Sequence, residues 1–155
     1  MSFQVSGLPV AQFAPLFGLS DAELAKRDIV RQTADTSPGF PCRVSLRDAE
    51  PGETLLLLNF EHLAVASPYR SRHAIYVREY AEDARVAVDE IPEVLRLRLL
   101  SLRAFDKRGM LLDADVVNGH EVEPLIERML GRTGVEYIHV HNAKPGCFAA
   151  RVDRV

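Results

Sequence analysis

Thr54-Leu55-Leu56-Leu57-Leu58-Asn59-Phe60 is the stretch that most restricts the fold. Four consecutive leucines leave neither face of a strand polar, and Glu50-Pro51-Gly52 bounds the run with a turn. Such a strand is buried on both faces. It belongs inside a sheet that is covered on both sides. Val135 to Asn142 adds a second restriction, because its residues are mostly β-branched, aromatic or imidazole side chains, a strand composition. A period of two sets Tyr137, His139 and His141 on one face, and Ile138, Val140 and Asn142 on the other. Lys144-Pro145-Gly146 turns the chain, and Phe148 to Asp153 returns as a second strand. Pro-Gly suits a tight two-residue hairpin poorly, which predicts a longer or bulged connection.

The remaining segments follow the same grammar. Cys42, Val44 and Leu46 alternate and predict a strand with those three inward. Arg72 to Arg78 alternates again, and Glu61 to Ser71 before it reads as a loop. Arg98–Asp106 and Met110–Val117 flank Asp106-Lys107-Arg108-Gly109, a hairpin turn. Ser20-Asp21-Ala22-Glu23 is a capping box that starts a short helix, expected to run to about Arg27. Val122, Leu125, Ile126, Met129 and Leu130 form one apolar stripe behind Glu123-Pro124, with Gly131 as the stop. The hairpins and sparse helices predict an α+β fold: one domain over residues 1–155, a largely antiparallel sheet and a few covering helices. The 122–130 helix is expected to pack on the sheet that holds the leucine run.

Charge and length narrow the function. With 155 residues the chain can bury one substantial core, and its net charge of −3 lacks the basic excess of a dedicated nucleic-acid binder. No apolar run reaches the length of a membrane span, and no secretion signal opens the chain. The expectation is a cytoplasmic protein without nucleic-acid or membrane partners, its two cysteines, Cys42 and Cys147, reduced.

The densest chemistry lies between His139 and Cys147. The two imidazoles stand about 7 Å apart at Cα, near enough to share a metal if Cys147, Cys42, His73, Asp113 or Asp115 supplied a third ligand. Ala143 occupies the place where a histidine-triad pattern needs a third alternating histidine; no metal is assigned, and the cofactor is unknown. Hydrogen-bonded imidazoles in a strand are the plainer reading. If Phe148, Ala150 and Val152 share the Ile138 face, then Cys147, Arg151 and Asp153 join the histidines, and Asp153 could orient His139. A one-residue slip reverses this. Tyr69-Arg70-Ser71-Arg72-His73 is the densest basic segment, and forked guanidiniums suit phosphate or carboxylate. The candidate catalytic residues are therefore His139, His141 and Cys147, and the candidate ligand-binding residues Tyr69, Arg70, Arg72 and Lys144. Together they predict a pocket for a small anionic metabolite. The competing class is a non-enzymatic interaction module acting as a homodimer. No particular reaction follows from either.

Pro38-Gly39-Phe40-Pro41-Cys42-Arg43, Ser67-Pro68-Tyr69-Arg70, Asp113-Ala114-Asp115-Val116-Val117 and the His139–Cys147 stretch resemble the bacterial family called domain of unknown function 1203. The resemblance runs almost end to end. It implies a bacterial single-domain protein and carries no activity with it.

Overall fold

The leucine run is the middle of a three-stranded sheet, and the His-x-His strand lies in a separate sheet of five. The computed structural model describes residues 1–155. In the larger sheet, β1 (Phe3–Ser6), β5 (Leu99–Phe105), β6 (Leu111–Asn118), β7 (Tyr137–Asn142) and β8 (Phe148–Arg154) take the order β1-β8-β7-β5-β6. The smaller sheet holds β2 (Val30–Thr33), β3 (Thr54–Leu63) and β4 (Ser71–Arg78), with β3 central. Every strand pairing is antiparallel. The three α-helices are short: α1 (Asp21–Ala25), α2 (Glu93–Arg96) and α3 (Val122–Leu130). The architecture is accordingly mostly β, and the helices cover rather than alternate with the strands. No helix is long and apolar enough to cross a membrane.

Alternation decides what each face touches. Val5, Leu100, Leu102, Ile138, Val140 and Val152 project from one face of the larger sheet onto the α3 stripe of Val122, Leu125, Ile126, Met129 and Leu130. Truncating a fully buried member such as Met129 should cost about 2–5 kcal/mol through lost burial and the cavity left behind. The helix therefore packs on the sheet that lacks the leucine run, contrary to expectation. The run is nevertheless covered on both sides. Leu56 and Leu58 pack with Ile75 and Val77 beneath Phe13 and Leu24, and Leu55 packs with Ala34 and Ala49 on the reverse.

Three local expectations are corrected. Cys42 to Leu46 is a turn, pinned by isolated bridges Pro41–Asp48 and Cys42–Tyr76, and Leu46 has a positive φ of 52°. Its inward residues are buried as the alternation predicts, but so is Arg43. Second, the strand does not stop at Phe60. A bulge between Phe60 and Leu63 lets β3 continue until Leu63 meets Ser71, so ladder pairing overrides the loop-like composition there. Third, α1 ends at Ala25, two residues early, although Ser20 accepts from the Glu23 amide at 3.1 Å as a capping residue should.

Candidate functional site

The β7–β8 hairpin organises two adjoining features. Cα partners across it are Tyr137–Asp153, Ile138–Val152, His139–Arg151 and Val140–Ala150, after which a bulge brings His141 opposite Phe148. Ala150 and Val152 thus share the Ile138 face, and Arg151 and Asp153 the histidine face. The bulge reverses the residues beyond it. Phe148 turns onto the histidine face, and Cys147 leaves it. The turn is held by the Asn142 amide donating to the Cys147 carbonyl (2.9 Å) and the Gly146 amide donating to the Asn142 carbonyl (2.8 Å). Gly146 has φ +80°, a conformation that favours glycine. Asp153 pairs with Arg151 at 2.8 Å rather than orienting His139, and Arg151 stacks 4.1 Å over the Tyr137 ring.

The first feature is a cluster of imidazoles between the sheets. His139 and His141 are buried, and His62 at the bulged end of β3 meets them from the opposite sheet. One ligand atom from each lies within 4.8 Å of the others. The Phe148 ring stacks on His62 at 5.5 Å with planes 9° apart, and stands edge-on to His139 at 5.0 Å. Phe105 lies against His139 at 5.5 Å, and Tyr69 against Phe105 at 6.3 Å. Burial holds His139 and His141 at pKa values of about 3 and His62 at about 4, assisted by the positive charge of Arg103. All three are neutral at pH 7. The His141 Nδ1 lies 2.9 Å from the Gly146 carbonyl oxygen, which can only accept, so that nitrogen carries the proton and Nε2 keeps its lone pair. The Nδ1 atoms of His62 and His139 are buried without a partner.

The second feature is a cavity of about 440 Å³ on the other side of the turn. Its wall includes Arg43, Arg98, Asn142, Lys144, Cys147 and Tyr76, and no aspartate or glutamate. Arg43 is 2% exposed. It donates to the Phe148 carbonyl (2.7 Å), the Pro41 carbonyl (2.6 Å) and the Cys147 sulfur (2.8 Å). It has no carboxylate partner, and burial lowers its pKa from the usual arginine value. Arg98, in contrast, is neutralised by Asp48 through bonds of 2.6 and 3.0 Å. Lys144 is exposed and makes no ion pair, and Asn142 keeps a buried, unpartnered Oδ1.

Of the residues singled out from sequence, His73, Lys144 and Cys147 line this cavity, and His141 braces its turn through Gly146. His139 stands in the imidazole cluster, not on the cavity wall. Arg70 pairs with Glu61 at 2.9 Å, and Arg72 with Asn59. The wall guanidiniums are those of Arg43 and Arg98 instead. Asp113 and Asp115 pair with Arg128 of α3, and Cys42 is buried in the smaller core. His62 escaped sequence reasoning because it sat in an apparent loop, although it follows the Leu55–Phe60 run by only two residues. Arg43 stood beside Cys42 in an apparent strand, on the face opposite the inward residues, and its burial was not legible there.

Residues 39–154 match the family described as Protein of unknown function (DUF1203), and the chain belongs to it. Comparison with curated proteins and with solved structures found no match.

Proposed function

We propose that the protein binds a small anionic metabolite in the cavity beside the Lys144–Cys147 turn. The observation that carries this reading is Arg43: a buried cation with no carboxylate partner, at the wall of a cavity that has no acidic side chain. A guanidinium has five N–H donors. Three of those of Arg43 are spoken for by Phe148, Pro41 and Cys147, which leaves donors for a carboxylate or phosphate. Lys144 adds an exposed charge to the wall. The orphan Oδ1 of Asn142 favours a ligand that also carries an N–H or O–H, because a buried acceptor without a partner costs about 1–3 kcal/mol. Cys147 stands on the wall as the candidate nucleophile, with His141 holding its turn in place.

The homodimer reading has the open β6 edge in its favour. That edge carries Asp113 and Asp115 in ion pairs with Arg128, and charged edges discourage strand addition, so the cavity reading is preferred.

The test is calorimetric titration of the full chain with phosphate and with small hydroxy- and amino-carboxylates. Saturable binding that weakens with salt is expected. Lys144→Ala should reduce affinity roughly tenfold or more, the loss of one charge-assisted contact. A bound ligand should also slow alkylation of Cys147. Absence of saturable binding across the series, or unchanged affinity in Lys144→Ala, would overturn the proposal.

A further inference from the structure

We infer that His62, His139 and His141 form a binding site for a borderline divalent transition metal, with zinc as the reference ion. The site is separate from the anion cavity and does not depend on it. Three imidazoles from two sheets converge with one ring nitrogen each within 4.8 Å of the others. Zinc–nitrogen bonds of about 2.0–2.1 Å hold tetrahedral ligand atoms about 3.3 Å apart. The rings therefore have to draw together by about 1.5 Å at most. His62, half-buried at a β-bulge, has the freedom to supply that movement.

His141 is hydrogen-bonded as a metal ligand typically is. Metal-bound histidines typically donate their second nitrogen to a carbonyl or carboxylate, which fixes the tautomer. His141 does this with Gly146 and presents Nε2. His139, 3% exposed, and His62 each hold a buried Nδ1 with no partner. Buried polar atoms are seldom left unpaired, and two in a single cluster of three imidazoles are most simply satisfied by a common ion.

The donor set also selects the ion. No aspartate, glutamate or cysteine joins the cluster, so magnesium and calcium, which need oxygen, are excluded. Three nitrogens leave a fourth position open for water or an anion. Arg103 lies directly across from His139 on β5, and its charge opposes a bare cation and favours one that carries an anion in that position. Phe148 and Phe105 pack against the His139 ring at 5.0 and 5.5 Å.

The experiment uses untagged, metal-stripped full chain titrated with Zn²⁺ and Co²⁺, read by visible absorption and by long-range ¹H–¹⁵N spectra of the imidazoles. One ion per chain is expected, with the intense visible bands of four-coordinate cobalt. The ring nitrogens of His62, His139 and His141 should shift, and those of His73 and His120 should not. His62→Gln removes a ligand and should weaken binding by more than the roughly 10–100-fold that loss of an outer-shell partner costs, with the circular dichroism unchanged. No shift in the three rings at excess Zn²⁺, shifts at His73 or His120 instead, or full affinity in His62→Gln would overturn the inference. Should His62→Gln fail to fold, the imidazole spectra of the unaltered chain decide the question alone.

Discussion

The Arg43 guanidinium donates to the Cys147 sulfur at 2.8 Å, across 104 positions of sequence. The same guanidinium donates to the carbonyls of Pro41 and Phe148. One side chain thus ties the turn before β3 to the β7–β8 hairpin and defines the wall of the cavity between them. A buried charge is costly unless it is hydrogen-bonded, and these three acceptors offset part of that cost for Arg43.

Removing that side chain should be costly. Arg43→Ala leaves two carbonyls and a sulfur without their donor and opens a void, for an expected loss of roughly 2–5 kcal/mol. Arg43→Lys should recover only part of it, because an ammonium cannot reach three separated acceptors from one planar fork. Urea unfolding of the two variants checks this. A loss below about 0.5 kcal/mol for the alanine variant, the range of ordinary surface changes, would mean that the contacts contribute little.

Both cysteines are free, and they lie in different surroundings. Cys42 is packed in the smaller core, where its sulfur accepts from the Arg78 amide at 3.3 Å. Cys147 borders the cavity. Alkylation of the denatured chain should count two thiols, and in the folded chain Cys147 should react first. Mass spectrometry of partly labelled protein reads the order, and faster labelling of Cys42 would contradict the cavity's access to Cys147.

Stability should fall on mild acidification. Folding lowers the pKa of His139 and His141 to about 3 from the ordinary histidine value. The unfolded chain therefore binds more protons between those limits, and stability drops as pH falls. The contribution is complete above about pH 6.5 and is lost progressively towards pH 3, with a slope of up to about 2.7 kcal/mol per pH unit for the two rings. Urea midpoints measured between pH 7 and 4 test this. His139→Gln and His141→Gln should each flatten the dependence, and a flat profile in the unaltered chain would show the rings to be accessible to protons.

Much of the local structure was legible because it rests on short-range periodicity. Alternation from Tyr137 to Asn142, the α3 stripe from Val122 to Leu130, the Asp106–Gly109 turn and the two-sided burial of Leu55–Leu58 each concern residues within a few positions of one another. The pairing of Lys144 with Cys147 in one turn was legible for the same reason. What the tertiary structure alone decided are the meetings of distant segments. Periodicity states that a face is buried but not against what, so the strands sorted into two sheets, and α3 packed away from the leucine run, only through competition among long-range pairings. A single bulge, expected from Pro-Gly but not located by it, exchanged Phe148 for Cys147 on the histidine face. Another carried β3 far enough to deliver His62 to that face. The burial of Arg43 likewise required acceptors from the neighbouring Pro41 and from Phe148 and Cys147 in the distant hairpin. Imidazole and thiol were local properties of one hairpin. Their partners were set by how the sheets closed, because the free energy of burying a polar group depends on which acceptors the rest of the fold brings to it.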